Sequence, residues 1–256
     1  MAKKLFKKSY LYKNFEEIPY QDLWNTKGVF TTIRLYKSSS NFLFIKDHLN
    51  QLNQSLKKMK INFKLTRKIF DILVHTKIKK KQRQDYLLRI AVNNKIISVD
   101  LRQRSQYISF FNAILVNYQR PSANIKNLKY KKILHYLKKI NSKSNEVILT
   151  SKGKVLEGCT TNIICVKNNK LYLPKKGYYY GITLKFIKNH TRRKIIKKDI
   201  MIQDLNNFDE ILLVGSGKGI VALNKIPEIN WKRKSDMIFN ELRFLYNSYI
   251  SRQIEN

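Results

Sequence analysis

The sequence is poor in acidic residues, in cysteine and in the residues that break regular structure. It contains 17 Asp and Glu against 52 Lys and Arg, with 2 Cys, 8 Gly and 4 Pro in 256 residues. Cys159 and Cys165 cannot build a disulfide framework and lack metal-ligand spacing, so we expect both to be reduced and intracellular. No apolar run reaches membrane-spanning length, and residues 1–8 lead into no apolar export segment, which predicts a cytoplasmic protein without a membrane partner.

The formal net charge of +35 favours, by itself, a polyanionic partner such as nucleic acid. The basic residues are spread along the whole chain, however, with runs at 3–8, 77–83, 129–139 and 192–198. They stand among Ile, Asn and Tyr, a blend typical of an AT-rich genome, and they form no basic face on a single helix. We therefore favour a solvated basic surface. A nucleic-acid-binding protein stays as the rival class, to be recognised by salt-dependent binding to DNA or RNA.

Hydrophobic periodicity predicts an α+β fold in two parts, for which 43% hydrophobic residues supply enough core. In the first part we expect a hairpin of residues 29–36 and 41–45, helices over 46–59 and 65–80, and strands over 86–93, 95–101 and 107–116. Residues 117–124, which are polar and contain a proline, predict a linker. Beyond it we expect helices near 128–140, from 181 and over the last residues, where Ile238, Leu242, Leu245 and Tyr249 share a face. The strands expected there cover 146–150, 162–166, 170–173, 210–214 and 220–225.

Several catalytic classes lack their motifs. There is no phosphate loop followed by Lys-Ser/Thr, no GxSxG elbow, no HExxH and no Cys-x-x-Cys. The four histidines have no partners at ligand spacing, so structural or surface roles are favoured over metal binding; they are His48, His75, His135 and His190.

Three turns rich in small residues remain as sites of chemistry. Residues 155–163 (VLEGCTTNI) place one acid before two hydroxyls, and each of the other two turns offers backbone N–H groups to an anion. Those turns are residues 177–183 (GYYYGIT), which open a helix, and 214–221 (VGSGKGIV). Each turn alone is weak, and a surface turn is the simplest interpretation of any one of them.

Together with FTTIR at 30–34, HLNQL at 48–52 and IKNLKY at 125–130, these turns resemble class IV aminotransferase-like enzymes, the fold-type IV pyridoxal phosphate enzymes. The motifs occur in that family's order over about residues 24–225. The resemblance implies a D-amino-acid aminotransferase-like architecture of two α+β domains, with the cofactor in the cleft between them. It implies domains at 1–116 and 125–256, joined by the linker 117–124, and a homodimer.

The resemblance also implies roles for particular residues. Lys126 matches the lysine that forms a Schiff base with pyridoxal 5'-phosphate and moves a proton, and Glu157 matches the acid that pairs with the pyridine nitrogen. Tyr130 matches a position facing the cofactor's phenolic oxygen. The phosphate cup matches Ile182, Thr183, Ser216 and Gly217. Gln51 stands where the family usually has a phosphate-binding Arg, so we expect weaker cofactor binding.

Within the family, FTTIR and the block GSGKGI at 215–220 are most similar to aminodeoxychorismate lyases, which form 4-aminobenzoate and pyruvate for folate biosynthesis. This branch implies an anionic small-molecule substrate, with Lys218 and Arg89 as its carboxylate partners and Thr31, Thr32 or Lys126 protonating the departing group. Aminotransferases of branched-chain or D-amino acids share the fold and the main residues and stay as the alternative. A degenerate family member without cofactor is a third hypothesis, prompted by Gln51.

Overall fold

A computed structural model describes residues 4–37, 41–74 and 85–255. It divides into two compact units, residues 1–105 with 125–131, and residues 106–124 with 132–256. Each unit has its own β-sheet with helices beside it. The predicted α+β class is therefore confirmed.

The first unit contains a five-stranded antiparallel sheet. Its order is β2-β1-β5-β4-β3, with β1 at Lys4–Leu11, β2 at Glu17–Ile18, β3 at Gly28–Leu35, β4 at Tyr86–Asn93 and β5 at Ile96–Gln103. Alternate residues of each strand lie on opposite faces. One face, which we call the core face, carries Val29, Ile33 and Leu35 of β3 into the hydrophobic core, and we call the opposite face the polar face.

Two helices belong to this unit. Helix α1 (Ile45–Lys58) packs against β3 and buries His48, Leu49, Leu52, Ser55 and Leu56. Asp47 in its first turn and lysines in its last turn complement the helix dipole. Helix α2 (Arg67–Leu73) begins after Thr66, whose hydroxyl accepts the Ile69 N–H at 3.2 Å.

The second unit contains a mixed nine-stranded sheet. Its order is β11-β10-β9-β12-β13-β6-β7-β8, and β14 pairs with β13. The strands are β6 (Phe110–Asn117), β7 (Asn145–Ser151), β8 (Lys154–Gly158), β9 (Asn162–Lys167), β10 (Lys170–Pro174), β11 (Ile195–Lys198), β12 (Glu210–Gly215), β13 (Gly219–Ile226) and β14 (Trp231–Lys232). Strand β6 pairs in parallel with both β7 and β13, which places it inside this sheet.

Three α-helices follow the strands of this sheet: α3 (Lys131–Lys138), α4 (Ile182–His190) and α5 (Met237–Glu255). The N-terminus of α5 is fixed by the buried carboxylate of Glu210, which accepts the N–H groups of Ile238 and Phe239 at 2.9 and 2.8 Å. An anion at a helix N-terminus satisfies free donors and the dipole together. Of the four residues predicted to share a face of α5, Ile238 and Leu242 are buried, whereas Leu245 and Tyr249 are half-buried. Phe239, Tyr246 and Ile250 are buried as well.

The structure differs from the sequence predictions in several places. Residues 41–45 make one bridge, Leu35 to Phe42, before α1 begins at Ile45, so the predicted second hairpin strand is absent there. The charged strand β1 was not predicted. Of the predicted helix 65–80, α2 covers Arg67–Leu73, and residues 75–80, including His75, lie outside the described residues. The chain passes between the units at 105/106, 124/125 and 131/132, whereas a single linker at 117–124 was predicted, because β6 pairs within the second sheet.

Candidate active site

Lys126 is held at the edge of the five-stranded sheet by backbone hydrogen bonds. The N–H of Phe30 donates to the Lys126 carbonyl and the N–H of Leu128 donates to the Gly28 carbonyl, both at 2.9 Å, around a bridge between Val29 and Asn127. A Cβ on Gly28 would clash with the backbone carbonyl of Val92 on β4 and would lie 2.6 Å from the Leu128 side chain, so glycine is needed where β3 meets these two neighbours. Opposed residues of an antiparallel pair share a face, so Lys126 lies with Phe30 on the polar face. Its Nζ atom lies 5.0 Å from the Phe30 ring centre.

An aromatic group surrounds this position. The Trp24 ring stacks on Tyr130 at 5.2 Å and meets Phe30 edge-on at 5.0 Å, and Tyr130 meets Phe30 edge-on at 5.3 Å. Tyr130 is buried. The structure thus brings Tyr130 and Lys126 to the same aromatic ring, that of Phe30, where cation–π attraction contributes to the position of the ammonium.

Arg89 lies on the same polar face. The register of the strands aligns Lys7, Asp100, Arg89 and Thr32 in one row across the sheet. The Arg89 guanidinium lies 4.4 Å from the Trp24 ring centre, and its Nη2 donates to the Tyr20 hydroxyl at 2.8 Å. The residue is 4% exposed, yet its Nη1 has no hydrogen-bond partner in residues 4–37, 41–74 and 85–255. A buried guanidinium with an unused donor is suited to a carboxylate.

The two threonines of FTTIR point to opposite faces. Thr32 shares the polar face with Arg89, its neighbour on β4. Thr31 is buried on the core face, where its hydroxyl and His48 Nδ1 form a 2.8 Å hydrogen bond. Thr31 is therefore incorrectly predicted as a proton donor to substrate, because the alternation of β3 turns it away from Lys126.

His48 is a structural histidine, as predicted. Burial, with a further contribution from the Lys126 charge, lowers the pKa of His48 from 6.5 to about 3, so the imidazole is neutral at physiological pH. Gln51, one turn further along α1, is half-buried, and its backbone carbonyl accepts the Ser55 hydroxyl at 2.8 Å.

In the second unit, Glu157 is a buried carboxylate with two fixed partners. Arg120 donates through Nε to Glu157 Oε1 at 2.7 Å, and the Tyr179 N–H donates to Oε2 at 3.1 Å. Both side chains of the ion pair are 5% exposed. Glu157 lies on strand β8, not in a turn as predicted. Arg120 was not predicted because it stands in the assumed linker, where its charge was the only signal.

The small-residue turns meet at the ends of neighbouring strands. Asn162 begins β9 opposite Val214 of β12, and its amide accepts the Gly181 N–H at 3.1 Å and donates to the Tyr179 carbonyl at 2.5 Å. Gly181 precedes α4 without a side-chain cap. A Cβ on Gly181 would lie 2.7 Å from the Asn162 amide oxygen. The start of α4, with Ile182 and Thr183, is thus linked through Asn162 to the strand that leads into Gly215, Ser216 and Gly217.

Lys218 is not placed as predicted. Its ammonium donates to the Glu146 carboxylate at 2.7 Å and to the Thr160 hydroxyl at 3.2 Å, and the ion pair is 5% and 0% exposed. Glu146 also accepts the hydroxyls of Thr160 and Thr161. Because the Lys218 ammonium is paired with Glu146 inside the protein, the predicted role of Lys218 as a substrate carboxylate partner is corrected to an architectural one. Glu146, at the start of a strand, gave no sequence signal.

The described ranges contain neither a metal cluster nor a membrane-spanning helix. Among residues 4–37, 41–74 and 85–255, no group of His, Cys, Asp or Glu could hold a metal ion. No helix within those ranges is long and apolar enough to cross a membrane.

The chain is similar to several known proteins along most of its length. A Methanocaldococcus jannaschii protein whose name proposes a branched-chain-amino-acid aminotransferase is 25% identical over 230 residues, 78% of each chain. The aminodeoxychorismate lyase of Bacillus subtilis is 22% identical over 257 residues, 89% of this chain and 87% of the lyase. The crystal structure of a Brucella abortus aminotransferase bound to the cofactor PLP superposes with a TM-score of 0.77 at 17% identity, covering 96% of this chain and 99% of that one.

These likenesses agree with the predicted fold-type IV architecture. The family model for class IV amino-transferases matches residues 28–226, which is most of the chain and includes every motif described above. The chain therefore belongs to the class IV aminotransferase family.

Proposed function

We propose that the protein is a pyridoxal phosphate enzyme that converts 4-amino-4-deoxychorismate to 4-aminobenzoate and pyruvate. The observation that carries this proposal is the polar face of the five-stranded sheet. It holds an amine, Lys126, and a buried guanidinium with an unused nitrogen, Arg89, on one aromatic group. An amine for covalent chemistry beside a carboxylate partner suits a substrate that carries both an amine and carboxylates.

The residues fit pyridoxal phosphate. We assign Lys126 to its covalent attachment, Glu157 to its ring nitrogen, and the turns at 181–183 and 215–217 to its phosphate. The buried Glu157 carboxylate accepts hydrogen bonds from the Arg120 guanidinium and from the Tyr179 N–H, which orient it as a partner for the ring nitrogen. When bound, the cofactor supplies an electron sink for the carbon that bears the substrate amine. Gln51 is assigned to the phosphate as a neutral contact, weaker than a charged one.

The remaining steps use the protein's own groups. Lys126 removes the proton from the amine-bearing carbon, and the carbon–oxygen bond to the enolpyruvyl group breaks as the ring becomes aromatic. The departing enolpyruvate takes a proton at its methylene carbon to become pyruvate, so atoms and charge balance. Thr32 and Lys126 are the donors assigned to this step, because both lie on the polar face. We assign Arg89 to a substrate carboxylate.

An aminotransferase is the second candidate, favoured by the 25% identity to the Methanocaldococcus jannaschii protein. The two reactions share proton removal by Lys126 and differ in the next step. A transaminase keeps the amine and needs a keto-acid acceptor, whereas the lyase releases its fragment and needs none. As part of the lyase proposal, we also propose that the protein is a homodimer and acts in folate biosynthesis.

The distinguishing experiment incubates the purified, cofactor-loaded protein with 4-amino-4-deoxychorismate and no keto acid. We expect 4-aminobenzoate and pyruvate in equal amounts over many turnovers. Steady turnover of leucine, glutamate or D-alanine with 2-oxoglutarate or pyruvate, without 4-aminobenzoate formation, would replace the lyase assignment with an aminotransferase.

A further inference from the structure

Arg89 and Asp100 are opposite each other on adjacent strands, and both are buried. The register pairs them directly between β4 and β5, and they are 4% and 6% exposed. Opposite charges at such a position attract strongly in a low-dielectric interior. Nevertheless the two side chains form no ion pair with each other, and among the residues that the structure describes each keeps one atom without a partner, Nη1 of Arg89 and Oδ1 of Asp100. Buried orphan atoms are rare in folded proteins and need an explanation.

The Tyr20 hydroxyl lies between the two charges. It accepts from Arg89 Nη2 at 2.8 Å and donates to Asp100 Oδ2 at 3.4 Å. Trp24 holds the guanidinium from its face at 4.4 Å. The arginine is thus fixed by one hydroxyl and one ring rather than by a carboxylate.

We propose that Tyr20 is a positioning residue that keeps Arg89 from pairing with Asp100, so that Nη1 remains available to a substrate carboxylate. This inference rests on the proposed function, in which Arg89 binds that carboxylate. A guanidinium in a two-point pair with Asp100 would have its charge neutralised and its donors occupied. The hydroxyl satisfies one nitrogen without supplying a competing negative charge.

The test compares Tyr20→Phe, Asp100→Asn and the double variant in the cofactor-loaded protein. Without the hydroxyl, Arg89 is expected to pair with Asp100, so Tyr20→Phe should raise KM for 4-amino-4-deoxychorismate by about tenfold, the equivalent of one hydrogen bond to a charged group. The turnover number kcat should change much less. Asp100→Asn removes the competing charge, so it should not raise KM alone, and in the double variant it should restore most of the affinity.

Rescue separates positioning from a structural role. A Tyr20 that only packed would lose the same packing in the double variant, and the affinity would not return. Tyr10→Phe is the control, because Tyr10 is a buried tyrosine of the same unit whose hydroxyl has no partner within the described part of the chain, whereas Tyr20 is half-buried. The KM of Tyr10→Phe should stay at the wild-type value. Calorimetric titration with 4-aminobenzoate, a carboxylate probe, gives a second readout that does not depend on turnover.

Two failures are distinguishable. If Arg89→Met leaves both KM and 4-aminobenzoate affinity unchanged, the assigned role of Arg89 is wrong and the proposed function loses its carrying observation. If Arg89→Met weakens both but Tyr20→Phe does not, or if Asp100→Asn fails to rescue Tyr20→Phe, the positioning role of Tyr20 is overturned while that of Arg89 stands. Melting temperatures of all variants identify any loss of affinity that is due to unfolding.

Discussion

Each of the two units buries a cation near a carboxylate, but the two charges are in contact in the nine-stranded unit and separated in the five-stranded unit. In the nine-stranded unit, Lys218 and Glu146 are in contact at 2.7 Å, and two threonine hydroxyls donate hydrogen bonds to the same carboxylate. In the five-stranded unit, Arg89 and Asp100 are kept apart by Tyr20, and each retains an atom that has no partner in the described part of the chain. We call Lys218–Glu146, whose charges are in contact, a closed pair, and Arg89–Asp100, whose charges are not, an open pair. The closed pair fixes the turns at 158–161 and 215–219, whereas the open pair retains hydrogen-bonding capacity for a ligand. A buried charge is therefore not by itself evidence of a binding residue. The hydrogen-bond partners of the charged group determine whether it can bind a ligand.

The largest effect is expected from breaking the closed pair. Glu146→Gln leaves the Lys218 ammonium buried without a counter-charge, which typically costs about 3–5 kcal/mol of unfolding free energy. Urea unfolding at pH 7 measures it. We expect the cofactor to bind less tightly as well, because the two turns lose their common anchor.

The matched control is a pair of similar length at the surface. Lys154 and Asp199 are 2.5 Å apart, but each side chain is 38% exposed, so Asp199→Asn should lower the unfolding free energy much less than Glu146→Gln does. Equal losses from the two variants would show that the burial of Glu146 and Lys218 has no energetic consequence and would contradict the distinction drawn between them.

A smaller effect is expected at Glu157, whose pair with Arg120 is closed but which we assign to the cofactor. Glu157→Gln should leave the cofactor attached at Lys126 and reduce kcat, because the ring nitrogen loses its anionic partner. One hydrogen bond to a charged group is worth roughly 1.5–3 kcal/mol, or about a ten- to hundredfold change in rate. Steady-state kinetics with 4-amino-4-deoxychorismate measures this.

Arg120→Lys is the companion variant for Glu157. It keeps the positive charge but loses the planar fork, so we expect a decrease in kcat smaller than that of Glu157→Gln. A Glu157→Gln variant with wild-type kcat would remove this carboxylate from the reaction and leave Arg120–Glu157 as a second purely architectural pair.

The smallest effect is expected from His48, which extends the comparison to a buried imidazole. His48 is neutral when folded because burial lowers its pKa to about 3, whereas the unfolded chain titrates near 6.5. Between these values the unfolded state binds the extra proton, so the stability contributed by His48 is present above pH 6.5 and is lost as the pH falls. At pH 5.5 the loss is about 1.4 kcal/mol.

The measurement is the difference in unfolding free energy between pH 7 and pH 5.5. His48→Gln, which retains a partner for Thr31, should reduce that difference. If His48→Gln keeps the wild-type pH dependence, the acid sensitivity comes from other groups.

The sequence predicted the positions of helices and strands better than it predicted which side chains contact one another. Strand β4 was predicted to the residue, because a nearly continuous apolar run specifies it, and α1 was predicted within one residue at either end, because a strong helical stripe specifies it. Lys126 was singled out by resemblance, and the edge pairing with Gly28 and Phe30 supplies a physical reason for its placement. Its catalytic role remains a prediction.

The features that sequence reasoning missed depend on contacts between distant residues. Glu146 meets Lys218 across 72 positions and Arg120 meets Glu157 across 37, and no periodicity reports such pairs. Thr31 and Thr32 are equivalent in a motif, but the pleat of β3 sends only Thr32 to the face of Arg89. The spacing of a motif gives residue types, whereas the sheet register decides which side chains meet.

The most direct test of the account is to trap the bond between cofactor and protein. The cofactor-loaded protein is reduced with borohydride, digested and mapped by mass spectrometry, with Lys126→Ala and Lys129→Ala treated in parallel. We predict one phosphopyridoxyl group per chain on Lys126, retained in Lys129→Ala and absent from Lys126→Ala. A modification distributed over several lysines, or one that persists in Lys126→Ala, would contradict the assignment of Lys126 and with it the proposed active site.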